Sequence, residues 1–141
     1  MQMKKMMFMV AMMFFTVVVV SQARLGSSYK EIKDEFGHDP DYNLTEKLVS
    51  EPVDGMYYKY IEVSFDKASA GYFFTTELIC YMTIIVPDNQ GALNFYVEYY
   101  NKHYVIISPT RWRMYNSNGY CDIKLVYLDD GTYYFTWTDG E

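Results

Sequence analysis

Residues 77–100 read ELICYMTIIVPDNQGALNFYVEYY, and this stretch decides the fold class. From Leu78 to Val86 it is apolar almost throughout, and its β-branched and aromatic residues favour a strand over a helix. The next residues, from Pro87 to Gly91, suit a turn. From Ala92 onward, apolar and polar side chains alternate as on a half-buried strand. The stretch therefore predicts a β-hairpin of two long strands, which needs flanking strands to be stable in water.

Similar strand patterns occur on both sides of this hairpin. They cover residues 56–65, 103–108, 120–128 and 132–138. Turn signals separate them about every 10 to 15 residues, as in an antiparallel meander. Closing such a sheet into a barrel would remove its exposed edges. We therefore predict an all-β, antiparallel meander for residues 55–141.

The segment before this β domain, residues 24–54, is polar and mixed. Ser28 and Glu31 resemble a capping box, and apolar residues at helical spacing from Tyr29 to Phe36 predict one short N-terminal helix. Asn43 begins a glycosylation sequon in a predicted surface loop. The sequence leaves open whether this sequon is used.

Residues 1–23 follow the pattern of a secretory signal peptide. Lys4 and Lys5 precede a continuous apolar run, and small residues end at Ala23. The run is shorter than the roughly 20 residues that a spanning helix needs, which disfavours a membrane anchor. We expect cleavage after Ala23, within a few residues, and a secreted, extracellular protein.

The charge of the remaining chain excludes two classes of partner. Without Lys4 and Lys5, 10 basic residues face 18 acidic ones, a net charge near −8. Nucleic acids and anionic membranes would both repel such a domain. We therefore expect no nucleic-acid partner, and no membrane contact after signal cleavage.

The two cysteines, Cys80 and Cys121, predict one disulfide in a secreted chain. The chain-entropy model gives such a bond about 4 kcal/mol of stabilisation. Two cysteines do not make a zinc site by themselves, and the distant His38 and His103 do not complete one convincingly. No metal and no cofactor are expected.

Catalysis is poorly supported by the sequence. Neither His38 nor His103 lies in a recognisable motif with a nucleophile and an orienting acid. The acidic residues around His38 match no calcium or zinc spacing, and a solvated loop is the simpler interpretation. We expect that the protein is not an enzyme.

Three short motifs resemble the lipocalin family, in a shortened and divergent form of the insect or arthropod type. Gly55-Met56-Tyr57-Tyr58 resembles the Gly-x-Trp-Tyr motif that opens the lipocalin barrel, with Tyr57 in place of Trp. Cys80 with the turn at residues 88–91 is similar to the second strand of insect-type lipocalins. Cys121 and the later segment 135–137 are similar to the late strands. The resemblance implies a small or incomplete lipocalin-like barrel that binds a small hydrophobic ligand.

The resemblance also implies structural roles at the barrel end. Gly55 would open the first strand, and Tyr57 would point inward and close one end. Trp137 and Arg113 would pack against the Tyr57 ring, since an aromatic ring and a cation both suit that place. Candidate ligand-binding residues on the interior face are Tyr57, Tyr81, Phe95, Val97 and Tyr99.

Two alternatives stay open at this point. The interior of a small barrel is filled either by side chains or by one small ligand. The second function hypothesis is a secreted β-rich interaction module, of salivary, venom or extracellular type, that binds a protein partner and no small molecule. Its 16 tyrosines would suit that role, because tyrosine supplies contact area at low entropy cost.

Overall fold

Eight antiparallel strands form one sheet in the computed structural model, which describes residues 23–38, 42–48, 59–117 and 119–140. The strands are β1 Thr45–Leu48, β2 Lys59–Ser64, β3 Ala68–Phe74, β4 Cys80–Pro87, β5 Val105–Ser108, β6 Arg111–Asn116, β7 Gly119–Tyr127 and β8 Tyr133–Asp139. Two helices accompany them, α1 Tyr29–Phe36 and α2 Gln90–His103. The predicted all-β, antiparallel fold with a short N-terminal helix is confirmed.

The sheet consists of two four-stranded meanders that meet in its middle. Its strand order is β1-β2-β3-β4-β8-β7-β6-β5, so β1 and β5 lie at the two edges. Helix α2 carries the chain from β4 to the far edge, and the last strand returns beside β4. Thr83 and Ile85 of β4 there face Trp137 and Phe135 of β8. The sheet is open, and the described strands do not close into a complete barrel.

The second half of the predicted hairpin is wrong, because residues 90–103 form a helix. The Asn89 side chain caps this helix by accepting a hydrogen bond from the Ala92 backbone N–H at 2.8 Å. Its buried residues include Leu93, Tyr96 and Tyr100, spaced three and four apart as on one helix face. Tyr96, which alternation places on the outer face of a strand, is therefore a core residue.

The predicted capping box of α1 is confirmed. The Ser28 hydroxyl oxygen accepts a hydrogen bond from the Glu31 N–H, and the Glu31 carboxylate accepts one from the Ser28 N–H, both at 3.1 Å. The helix buries Ile32 and Phe36 against the sheet. The Phe36 ring lies 6.1 Å from the ring of Tyr72 on β3.

Both helices pack on the same face of the sheet. The partners in a ladder pair share a face, and Tyr72, Thr83 and Trp137 form one row across β3, β4 and β8. The ring of Tyr100 from α2 lies 5.7 Å from Trp137 and 5.0 Å from Phe135. We call this helix-covered side the inner face.

The predicted disulfide is contradicted by the structure. Cys80 and Cys121 are both buried and not bonded. They lie on β4 and β7, and β8 separates these two strands. Two strand spacings amount to about 10 Å, whereas a disulfide requires Cα atoms within about 7 Å.

Candidate functional site

A pocket of about 320 Å³ opens at the end of the sheet where β6 and β8 finish and β7 begins. Two strand ends, one strand start and the N-terminal segment supply its walls. The described residues that line it are Ala23, Arg24, Leu25, Met114, Asn116, Cys121, Trp137 and Asp139.

The N-terminal wall is held in place by hydrogen bonds to β4. The Ala23 carbonyl accepts a bond from the Thr83 hydroxyl. The Gly26 N–H donates to the Cys80 carbonyl at 2.9 Å, and the Cys80 N–H donates to the Ser27 carbonyl at 2.8 Å. Residues 23–27 therefore continue the sheet locally, although they belong to no strand.

The cation in this wall is already paired. The Arg24 guanidinium donates from Nε to the Glu35 carboxylate at 2.8 Å and lies 5.5 Å from the centre of the Phe36 ring. Its stem is partly buried between the pocket and α1. Arg24 thus serves as a polar boundary of the pocket and ties the N-terminal segment to the first helix.

Trp137 forms the aromatic wall. It is buried, and its indole N–H donates a hydrogen bond to the Tyr100 hydroxyl oxygen at 3.2 Å. The Tyr104 ring meets it edge-on at 5.7 Å. These contacts fix the orientation of the indole, so that the pocket is bounded by a rigid apolar surface.

Cys121 and Asp139 form the polar end. The Cys121 sulfur lies 3.9 Å from the Asp139 carboxylate. Burial, followed by the negative charge of Asp139, raises the pKa of the Cys121 thiol. Burial also raises the pKa of Cys80 to about 11. Because the thiolate is the reactive form, both thiols are poor nucleophiles at neutral pH.

Two buried tyrosine hydroxyls near the pocket have no hydrogen-bond partner among the described residues. They belong to Tyr72 and Tyr104. Burial raises the pKa of Tyr72 well above its usual value, against an opposing effect of Arg24. Burial also raises the pKa of Tyr104, with smaller electrostatic contributions from Tyr99 and Cys121. Most buried polar groups in proteins are paired, so these two hydroxyls add unused hydrogen-bonding capacity close to the pocket.

Of the predicted site residues that the structure describes, Trp137 and Cys121 line this pocket, and both were predicted for structural roles. Tyr81 is half-buried on β4, and the other three described candidates lie on α2. Of these three, Phe95 is exposed, whereas Val97 and Tyr99 pack against the core from its margin. Phe95, Val97 and Tyr99 were predicted to lie together on the interior face of a strand. This prediction is wrong, because they belong to a helix, and the helical period places them on different sides.

Trp137 and Arg113, which were predicted to pack on the Tyr57 ring, lie on opposite faces of the sheet. Along β6 the buried Trp112 faces inward, so Arg113 lies on the opposite, outer face. Its guanidinium stacks 4.4 Å from the centre of the Tyr120 ring. Gly55 and Tyr57 lie outside the described residues. Asn43 is exposed just before β1, and its glycosylation stays a prediction.

Sequence reasoning missed the remaining pocket residues. Asp139 and Asn116 are ordinary polar residues at strand ends, and no local motif marks them. The proximity of Arg24 depends on the pairing of residues 26 and 27 with Cys80, far away in the sequence. Only the aromatic, alternating pattern of residues 132–138 gave a usable signal for the pocket.

The described ranges lack both a metal-binding cluster and a membrane-spanning helix. They contain no group of three or more His, Cys, Asp or Glu side chains placed to hold a metal ion. Neither α1 nor α2 combines the length and the apolar character needed to span a membrane.

Comparison with protein-family models, with curated proteins and with solved structures found no match to this chain.

Proposed function

We propose that the protein is a secreted, lipocalin-like binding protein that holds a small, mainly hydrophobic molecule in the pocket beside Trp137. The observation that carries the proposal is the pocket itself. Its volume of about 320 Å³ falls at the lower end of the roughly 300–1,000 Å³ typical of ligand sites. The likeness to lipocalins that supports it rests on three short motifs.

The walls of the pocket indicate the chemistry of the ligand. Trp137, Met114 and Leu25 offer an apolar surface for its body. Asn116 and Asp139 offer polar atoms at one end. A few polar groups in a mainly apolar pocket usually fix the orientation of a ligand. The expected ligand is therefore small and amphipathic, with one hydrogen-bonding group.

Binding without catalysis is the simplest use of this site. Both thiols are held in the protonated form, and the pocket lining contains no histidine that could act as a base. The Arg24 guanidinium is engaged with Glu35. No described arrangement of nucleophile, base and orienting group accompanies the pocket.

The first experiment is native mass spectrometry of the secreted protein, followed by titration with the neutral fluorescent probe N-phenyl-1-naphthylamine. We expect a co-purifying small molecule, and saturable probe binding after its removal. Met114→Trp fills the pocket and should abolish probe binding. Met82→Trp is the matched control, since Met82 lies on the outer face of β4 and should leave binding unchanged. Equal binding by both variants, or none by the parent, would contradict the proposal.

Secretion is tested by N-terminal sequencing of protein recovered from the medium. The Ala23 carbonyl accepts the Thr83 hydroxyl hydrogen bond, and loss of Ala23 would leave that buried hydroxyl without this acceptor. Within the predicted cleavage window, we therefore expect the mature chain to keep Ala23. A first residue at or after Arg24, or retention of the whole apolar run, would contradict this expectation.

A further inference from the structure

The two edges of the sheet differ in how well they are protected. Edge strand β5 exposes three consecutive apolar side chains, Val105, Ile106 and Ile107, at 49%, 55% and 42% of their surface. Among the described strands it pairs only with β6. A bulge between Ile106 and Ser108 is its single irregularity. Exposed apolar edge strands are uncommon, because their free N–H and C=O groups attract other chains.

The opposite edge of the sheet, strand β1, is better protected against strand addition. Strand β1 carries the exposed Glu46, and a charged side chain on an edge discourages strand addition. Glu46 also accepts a hydrogen bond from the Tyr29 hydroxyl and lies 3.1 Å from the Lys33 ammonium. Helix α1 is thereby tied to β1, whereas β5 contains no charged residue.

The surroundings of β5 are basic in an otherwise acidic chain. Residues 105–127 contain three basic residues and one acidic residue, whereas the whole chain has a net charge of −6. The one acid, Asp122, pairs with two of these cations: it accepts two hydrogen bonds from Arg111, at 2.9 and 3.0 Å, and lies 3.7 Å from the Lys124 ammonium. Arg113 lies opposite Val105 across the β5–β6 pair, on the same outer face.

We propose that β5 is a docking edge for an extended, acidic segment of a partner protein, which adds to the sheet as a further strand. Main-chain hydrogen bonds would supply affinity, and alternate apolar side chains would cover Ile106, which shares the inner face with Trp112. Acidic side chains on the added strand would lie about 10 Å from the β6 backbone, within the combined reach of a glutamate and an Arg113 side chain that has turned from the Tyr120 ring on β7 toward β5. This inference is independent of the ligand proposed for the pocket.

A second copy of the chain fits this edge less well. Pairing two β5 strands about a two-fold axis would bring both Arg113 side chains to one interface, where like charges repel. The two copies would also carry the same net negative charge elsewhere. An acidic peptide meets neither obstacle.

The experiment measures binding of short synthetic peptides to the full secreted chain by fluorescence anisotropy. The first peptide alternates Glu and Val, the second alternates Lys and Val, and the third is the Glu-Val peptide with alternate backbone amides methylated. We expect the Glu-Val peptide to bind at least ten-fold more tightly than the other two. Arg113→Glu should weaken its binding at least ten-fold and improve binding of the Lys-Val peptide.

The control variant is Lys30→Glu, which makes the same charge change on the exposed surface of α1. It should leave all three affinities within about two-fold, since exposed charges more than a Debye length apart are screened. Equal binding of acidic and basic peptides, or undiminished binding of the methylated peptide, would overturn the proposal. So would equal losses in both variants, or a stable dimer in sedimentation that the Glu-Val peptide does not dissociate.

Discussion

The core tyrosines Tyr72, Tyr100 and Tyr104 differ in whether their hydroxyl groups have a hydrogen-bond partner among the described residues. The Tyr100 hydroxyl oxygen accepts a hydrogen bond from Trp137, whereas the hydroxyls of Tyr72 and Tyr104 have no partner among the described residues. A buried polar group without a partner costs about 1–3 kcal/mol. The core is therefore less stable than its aromatic packing alone would make it, and part of that loss lies close to the pocket.

Replacing Tyr72 with Phe should raise the free energy of unfolding by about 1 kcal/mol, because it removes an unpaired buried hydroxyl and keeps the ring. Tyr100→Phe is the matched control. It removes the acceptor of the Trp137 indole N–H and should lower the free energy of unfolding by about 1–3 kcal/mol. Urea denaturation measures both. Equal destabilisation by the two substitutions would show that the Tyr72 hydroxyl has a stabilising partner.

The buried Cys80 thiol should make the protein sensitive to alkali. Burial raises its pKa from 9.0 to about 11, so the folded state keeps a proton that the unfolded state loses. The contribution of this protonated thiol to the free energy of unfolding is intact below about pH 9 and is lost as the pH rises through about 11. The difference between the two pKa values corresponds to at most about 3 kcal/mol of the free energy of unfolding.

Cys80→Ala removes this titration, although the substitution also lowers stability at neutral pH. We therefore expect the free energy of unfolding of the parent to fall more steeply between pH 9 and 11 than that of the variant. Denaturant titrations across this range measure both slopes. Tyrosines also titrate in alkali; burial and Glu46, for example, raise the pKa of Tyr29 to about 12. Their contributions are the same in both proteins. Parallel slopes would contradict the prediction.

At the scale of elements, helix α2 depends on its cap. Asn89→Ala removes the side-chain oxygen that accepts the Ala92 N–H, and should lower the free energy of unfolding by about 1 kcal/mol. Asn94→Ala lies on the exposed side of the same helix, where alanine is the better helix former. It should be neutral or slightly stabilising. Thermal unfolding followed by circular dichroism distinguishes the two, and equal midpoints would argue against the cap.

The same helix shows why the sequence predicts only part of the fold. Residues 92–100 fit both the alternation of a strand and the 3.6 period of a helix, since aromatic side chains occur on every face. Asparagine is favoured both in turns and at helix N-caps, so Asn89 does not distinguish the two structures. Helix α1 was predictable because Ser28 and Glu31 satisfy each other locally. The packing of α2 against Phe135 and Trp137 decides between the two structures, and that contact is not local.

The candidate site has the same limits. Trp137 was predicted as a structural residue, because the segment 135–137 resembles the late lipocalin strands, and its place in the pocket was not predicted. Arg24 and Asp139 meet only because the N-terminal segment pairs with Cys80 and β8 pairs with β4. Such pairings are set by the topology of the sheet. The disulfide prediction failed for this reason too, since pairing places β8 between the two cysteines.

At the scale of the whole molecule, strand β8 joins the two meanders. Thr136 in its middle pairs with Ile84 on one side and with Lys124 on the other. Proline removes a ladder hydrogen bond and is rarely tolerated in a central strand. Thr136→Pro should therefore abolish cooperative unfolding and secretion. Ile107→Pro, at the bulge of edge strand β5, should change the free energy of unfolding by about 1 kcal/mol or less, as measured in urea. Comparable losses from both would show that β8 has no special role.

The central place of β8 has a consequence for biosynthesis. It is the last described strand to be synthesised, so the edges of β4 and β7 that pair with β8 stay unpaired until then. Cys80 and Cys121 lie on those two strands, which β8 does not yet separate. An oxidising compartment could join them at that stage. Such a bond would hold β4 and β7 closer together than the width of a strand allows, and the nascent chain would be trapped with its last strand excluded.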